Sequence, residues 1–184
     1  MESEGTLHVV AQPALCVPRR NLCDPDPVDY LPVAGRHYPV TKAVEADLPA
    51  LVGLLSDDLL GQGRESDQLE PYLAAFAEID ADPSHLLVAV RDEAGAVVAT
   101  MQLTLLPGLA RAGAKRLQIE AVRVAPSERG GGLGAALFEW AHEYGRRHGV
   151  SLAQLTSDKA RSDAHRFYDR LGYTPTHDGF KRSL

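Results

Sequence analysis

The sequence predicts an α/β fold with elements in the order β-α-α-β-β-β-α-β-α-β. Three observations predict it. Apolar runs of strand length recur at 37–44, 85–92, 96–106, 116–124 and 151–157. Between most of them lie segments whose apolar residues recur at i, i+3, i+4 and i+7, the helical spacing. Two of the runs are joined directly by Glu93-Ala94-Gly95-Ala96, which has hairpin composition. The chain's 184 residues suffice for one domain with a real core.

Residues 1–37 contain Pro13, Pro18, Pro25, Pro27 and Pro32 and show no periodicity, which predicts an irregular extension. The domain is therefore expected to span 38–184. "HYPVTKAV" reads as its first strand. In "EADLPALVGLLSDDLL", Leu48, Leu51, Val52, Leu55 and Leu59 fall on one helical face, with Asp47 as N-cap. "GQGRESD" breaks the pattern before a second helix over Glu70–Ile79. "HLLVAVRD" and "AVVATMQLTLL" form the hairpin. The loop "PGLARAGAK" leads to the fourth strand, "RLQIEAVRV". A helix follows, with Leu133, Ala136, Leu137, Trp140, Ala141 and Tyr144 on its inner face. "SLAQLTS" is the next strand. "SDAHRFYDRLGY" is a helix with Ser162 as N-cap and Gly172 as stop. "GFKRSL" is expected to add a last strand.

A net charge of −6, with both signs interspersed, argues against a duplex nucleic-acid binder and offers no polybasic membrane patch. No apolar run approaches the roughly 20 residues of a membrane helix. The acidic start lacks the order of a signal peptide, so a cytoplasmic protein is expected. Cys16 and Cys23 have no partner pair at zinc spacing and read as free thiols. No metal site is expected.

The most specific stretch is "VRVAPSERGGGLGAALFEWA", residues 122–141. Glycines at a strand-to-helix junction let backbone N–H groups approach an anion with no Cβ in the way, and the helix dipole adds to the attraction. Leu133-Gly134-Ala135 excludes the Gly-Lys-Ser/Thr ending of a P-loop. A Gly-x-Gly-x-x-Gly dinucleotide turn fails at Leu137 and would leave its strand sooner. Arg129-Gly130-Gly131-Gly132-Leu133-Gly134 does satisfy Gln/Arg-x-x-Gly-x-Gly/Ala. Together with "VRVAP" before it and "AHRFYDRLGY" beyond, it resembles the pyrophosphate loop of the GNAT superfamily of N-acetyltransferases.

The resemblance covers about 37–184. It implies a mixed, mostly antiparallel central sheet with helices on both faces, whose fourth and fifth strands splay. It implies acetyl-CoA as co-substrate, with Val122, Arg123 and Val124 along the pantetheine and thioester. The pyrophosphate would lie on the amides of Arg129, Gly130, Gly131, Gly132, Leu133 and Gly134. An amine would attack the thioester carbonyl, with the N–H near Val122 facing the growing negative charge. Tyr168 stands at the family's general-acid position, although its spacing with Phe167 and Leu171 is also core spacing.

Glu120 is the candidate base, because a carboxylate inside "LQIEAVRV" is costly unless it is paired or lines a wet cleft. Desolvation there would raise its pKa. A salt bridge to Arg123 or Lys115 is the competing role. Asp57 and Asp58 end the first helix where the family shapes its acceptor pocket, and Gln102 can face the same cleft. Arg161 stands where many relatives of that family carry an Asn before the last helix.

The expected function is N-acetylation of a small-molecule amine, without nucleic acid or membrane, and with homodimerisation left open. A non-catalytic acyl-CoA-binding module and a protein lysine or N-terminal acetyltransferase are the alternatives.

Overall fold

The computed structural model describes residues 29–57, 63, 65–66 and 68–184. Six strands form one sheet in the order β1 (Asp29–Val33), β2 (Arg36–Lys42), β3 (His85–Arg91), β4 (Val97–Leu106), β5 (Arg116–Val124) and β6 (Leu152–Leu155). Neighbours from β1 to β5 are antiparallel, and β6 runs parallel to β5. Four helices of two or more turns pack on the sheet: α1 (Leu48–Ser56), α2 (Glu70–Ala81), α4 (Leu133–Arg147) and α5 (Ser162–Arg170). Between β4 and β5, α3 (Ala110–Gly113) is a single turn in which Arg111 and Ala112 have left-handed backbones.

Strand alternation builds two cores. Val88 and Val90 of β3 join Met101, Leu103, Leu117 and Ile119 under Leu133, Leu137, Phe138 and Ala141 of α4. Leu87 and Ala89, on the opposite face of β3, meet Leu48 and Leu51 of α1 and Leu73 and Phe76 of α2. Helices thus cover both faces of the mixed sheet, as the sequence predicts.

Several expectations are corrected. The irregular extension does not reach residue 37, because β1 pairs with β2 from Asp29↔Val40 to Val33↔Arg36 and buries Leu31 in the core. Pro32 is tolerated because β1 is an edge strand. Residues 1–28, with Cys16 and Cys23, lie outside the described residues. Residues 174–184 form neither strand nor helix, so "GFKRSL" adds no strand. Asp47 stands before α1, but its carboxylate accepts from the Val44 N–H and pairs with Arg91. Ser162 is the first helical residue of α5, and Arg161 holds the N-cap position.

The hairpin β1–β2 gives a stability prediction. A chain beginning at Arg36 loses the Leu31 side chain, worth about 1.5–3 kcal/mol when buried, and the β1 ladder with it. It should melt about 10 °C below a chain beginning at Asp29. Equal melting temperatures in a calorimetric comparison would show that β1 contributes nothing to the domain.

Candidate active site

The site starts from a bulge. In the β4–β5 ladder, Gln102 faces Glu120 and Thr100 faces Arg123, so Ala121 and Val122 together oppose Met101 alone. Ala121 takes a left-handed φ of 51° to fit. One extra residue shifts the alternation of the strand. Before the bulge Leu117 and Ile119 enter the α4 core; after it Val122 and Val124 do.

The bulge coincides with a parting of strands. The β5–β6 ladder ends at Ile119↔Leu155, while β5 continues to Val124. The gap is a cleft of about 60 Å³, lined by Glu120, Val122, Arg123, Arg161 and Tyr168 among others. These are the splayed fourth and fifth strands of the sequence reading, renumbered by the additional β1.

The gap is a slot that both faces of the sheet reach. Glu120 lies opposite Gln102, which lies opposite Leu87 on the α1–α2 face. Arg123 is in register with Thr100 and Ala89 on that same face. Tyr168 arrives from the other side, on α5, its ring 5.8 Å from that of Phe138 and 6.2 Å from that of Tyr173. Burial pushes the Tyr168 phenol above its ordinary range, against the opposing pull of Arg161 and Arg123. It therefore holds its proton throughout the neutral range. Among the described residues no hydrogen bond engages its hydroxyl. Glu120 is exposed, so the desolvated carboxylate expected from the apolar run is not found. Its polarity suits an open cleft wall; the Arg123 guanidinium donates to the Val122 carbonyl, and the Lys115 ammonium to that of His148.

Beside the slot, Gly130 and Gly132 adopt φ of 80° and 95°, and α4 starts at Leu133. Its first turn closes with the Ala136 N–H on the Gly132 carbonyl. The amides of 133–135 have no partner within the helix and point out of its start. A Cβ on Gly134 would lie 3.6 Å from Phe167 and 3.8 Å from Val124, an ordinary contact distance that places the start of α4 against both α5 and β5.

Arg129 does not point its side chain into this loop. Its Nε donates to the Val124 carbonyl at 2.9 Å, and its guanidinium pairs with Asp57 at 2.9 Å. Asp57 is thus paired with Arg129 and is not among the residues that line the cleft, and Asp58 lies outside the described residues. Sequence reasoning also missed Glu128, just before the loop. It accepts from the Tyr38 hydroxyl at 2.6 Å and from Arg36 at 2.9 Å. No local pattern signals a bond that spans 90 residues of chain.

A splayed parallel strand pair thus lies beside a glycine-lined helix start, with the half-buried phenol of Tyr168 at the split. Residues 49–173 match the model of the acetyltransferase (GNAT) family. The chain belongs to that family and is an acyltransferase. It is 30% identical over 157 residues to an aminoalkylphosphonate N-acetyltransferase of Salmonella typhimurium, covering 85% of this chain and 95% of that one. A Bacillus halodurans C-125 structure described as a transcriptional regulator superposes with a TM-score of 0.76 at 38% identity, covering 80% of this chain and all of that one. A putative acetyltransferase from Agrobacterium tumefaciens gives 0.69 at 26%, covering 79% and 99%. Among the described residues no group could hold a metal ion, and no helix is long and apolar enough to cross a membrane.

Proposed function

We propose that the protein is an acetyl-CoA-dependent N-acetyltransferase acting on the primary amine of a small molecule by direct attack on the thioester. The observation that carries this is the slot itself. One gap brings the unpaired end of β5, the phenol of Tyr168 and the carboxylate of Glu120 together beside the glycine loop. The residues fit the co-substrate: helix-start amides without intrahelical partners suit a pyrophosphate, and an unpaired strand edge suits an extended pantetheine.

Acetyl-CoA supplies an activated acyl group when bound. The amides of Gly130 to Gly134 hold its pyrophosphate, with Arg129 fixing the loop to Val124 and Asp57. The β5 backbone from Val122 to Val124 would orient the thioester, and the Val122 N–H would stabilise negative charge on its oxygen. Glu120, across from Gln102, takes the proton from the acceptor ammonium on the α1 side. The Tyr168 hydroxyl delivers a proton to the departing sulfur from the α5 side. The exposed position of Glu120 lets it pass its proton on to water.

The likeness to an aminoalkylphosphonate N-acetyltransferase favours a small amine that also bears an anion over a lysine side chain. The test is thiol release from acetyl-CoA with a panel of aminoalkylphosphonates, polyamines and lysine peptides. Turnover with small amines is expected, fastest with those carrying an anionic group. CoA binding without turnover on any amine would replace this reading with the non-catalytic module, and turnover on peptides alone would replace it with a protein acetyltransferase.

A further inference from the structure

The slot explains the chemistry but not what holds the glycine loop in shape. That loop is joined to the first strands of the domain at several points. Glu128, whose side chain is only 12% exposed, receives the Tyr38 hydroxyl and both terminal nitrogens of Arg36. Tyr38 is itself 3% exposed, and the Arg36 guanidinium stacks 4.7 Å from its ring. A Cβ on Gly132 would lie 3.7 Å from Val33 of β1. Further along α4, the Trp140 indole donates to Asp29 at 2.8 Å, with Arg147 close by. The β1–β2 hairpin thus grips α4 beyond its middle and the turn that feeds its start.

We propose that Glu128, held by Tyr38 and Arg36, is a positioning residue that sets the glycine loop for the pyrophosphate, and that the β1–β2 hairpin is the support through which it acts. This rests on the reading of the loop as a CoA site. Glu128 ends a short 3-10 turn, Pro126–Glu128, and Arg129 follows it directly. A carboxylate fixed at three points therefore fixes where Gly130 to Gly132 begin. The Tyr38 hydrogen bond, aided by Arg36, pulls the Glu128 carboxyl below its ordinary range against the cost of desolvation, so it is ionised at neutral pH. Arg129 secures the far side of the same turn. The loop is held from β5 and α1 by one residue and from β2 by the residue before it.

The experiment uses the full chain and two variants, Glu128→Ala and the milder Tyr38→Phe, which keeps the ring and removes the donor. CoA affinity is measured by calorimetry, and amide exchange over 129–135 is followed without CoA. Glu128→Ala should weaken CoA about tenfold, Tyr38→Phe less, and both should speed exchange in 129–135 while β3 and β4 exchange as before. If the variants melt earlier but bind CoA as tightly and exchange no faster in the loop, the network is merely structural and the proposal fails. If Glu128→Ala does not fold, Tyr38→Phe alone decides by the same two readouts. If the wild type binds no CoA, the functional reading fails, while faster loop exchange would still show the support.

Discussion

Tyr168→Phe is expected to cut turnover about 10²-fold or more while the protein melts within about a degree of the wild type. The ring contacts with Phe138, Phe167 and Tyr173 survive the change, and the lost hydroxyl bonds to nothing among the described residues. CoA affinity should be nearly kept. The pH profile gives a second check. Burial raises the phenol above its usual value of about 10, so the proton is present at every lower pH. An alkaline limb in kcat centred near 8 would belong to another group. A normal rate with a melting shift of several degrees would give the hydroxyl a structural role. The rate should be taken with the best amine of the panel, because a slow surrogate can hide the defect behind another step.

Gly131→Asp is expected to weaken CoA binding at least 100-fold, about 2.7 kcal/mol, and to leave the fold intact. Gly131 does not share the positive φ of its neighbours, and a Cβ there would meet only the Glu128 carbonyl at an ordinary 3.7 Å. The substitution therefore adds a negative charge beside the helix-start amides without straining the backbone. Gly132→Asp would confound the two effects, because Gly132 sits at φ 95°. Gly131→Ala is the control and should keep most of the affinity. Unchanged CoA titration of the Asp variant would remove the loop from the site.

The features that the sequence revealed are those encoded within a few residues. Four glycines with an arginine mark a tight turn from strand to helix, and "HRFYDRLGY" carries its aromatic pair at helical spacing. Both lie together in the structure. The bulge was hidden because its left-handed residue is Ala121 and not a glycine. The strand β1 was hidden because Pro32 among many prolines imitates irregular chain, and only pairing with β2 reveals the edge position that tolerates it. The polar position of Glu120 inside an apolar run marks a cleft wall, but its exposure removes the expected desolvation, because alternation says which face a residue takes and not whether that face is covered. The ion pair of Asp57 with Arg129, 72 residues away, has no local signal.

The grip of the β1–β2 hairpin on α4 also sets a timetable for biogenesis. Leu31 and Tyr38 are buried under a helix whose core residues, Leu133 to Ala141, are made about a hundred residues later. At translation rates of roughly 5–20 residues per second, that interval is about 5–20 s. During it the hairpin has its apolar face uncovered and its edge strand unpaired on one side. Contacts of such sequence separation also form late in folding. The nascent hairpin is therefore the segment on which chaperone protection should matter most.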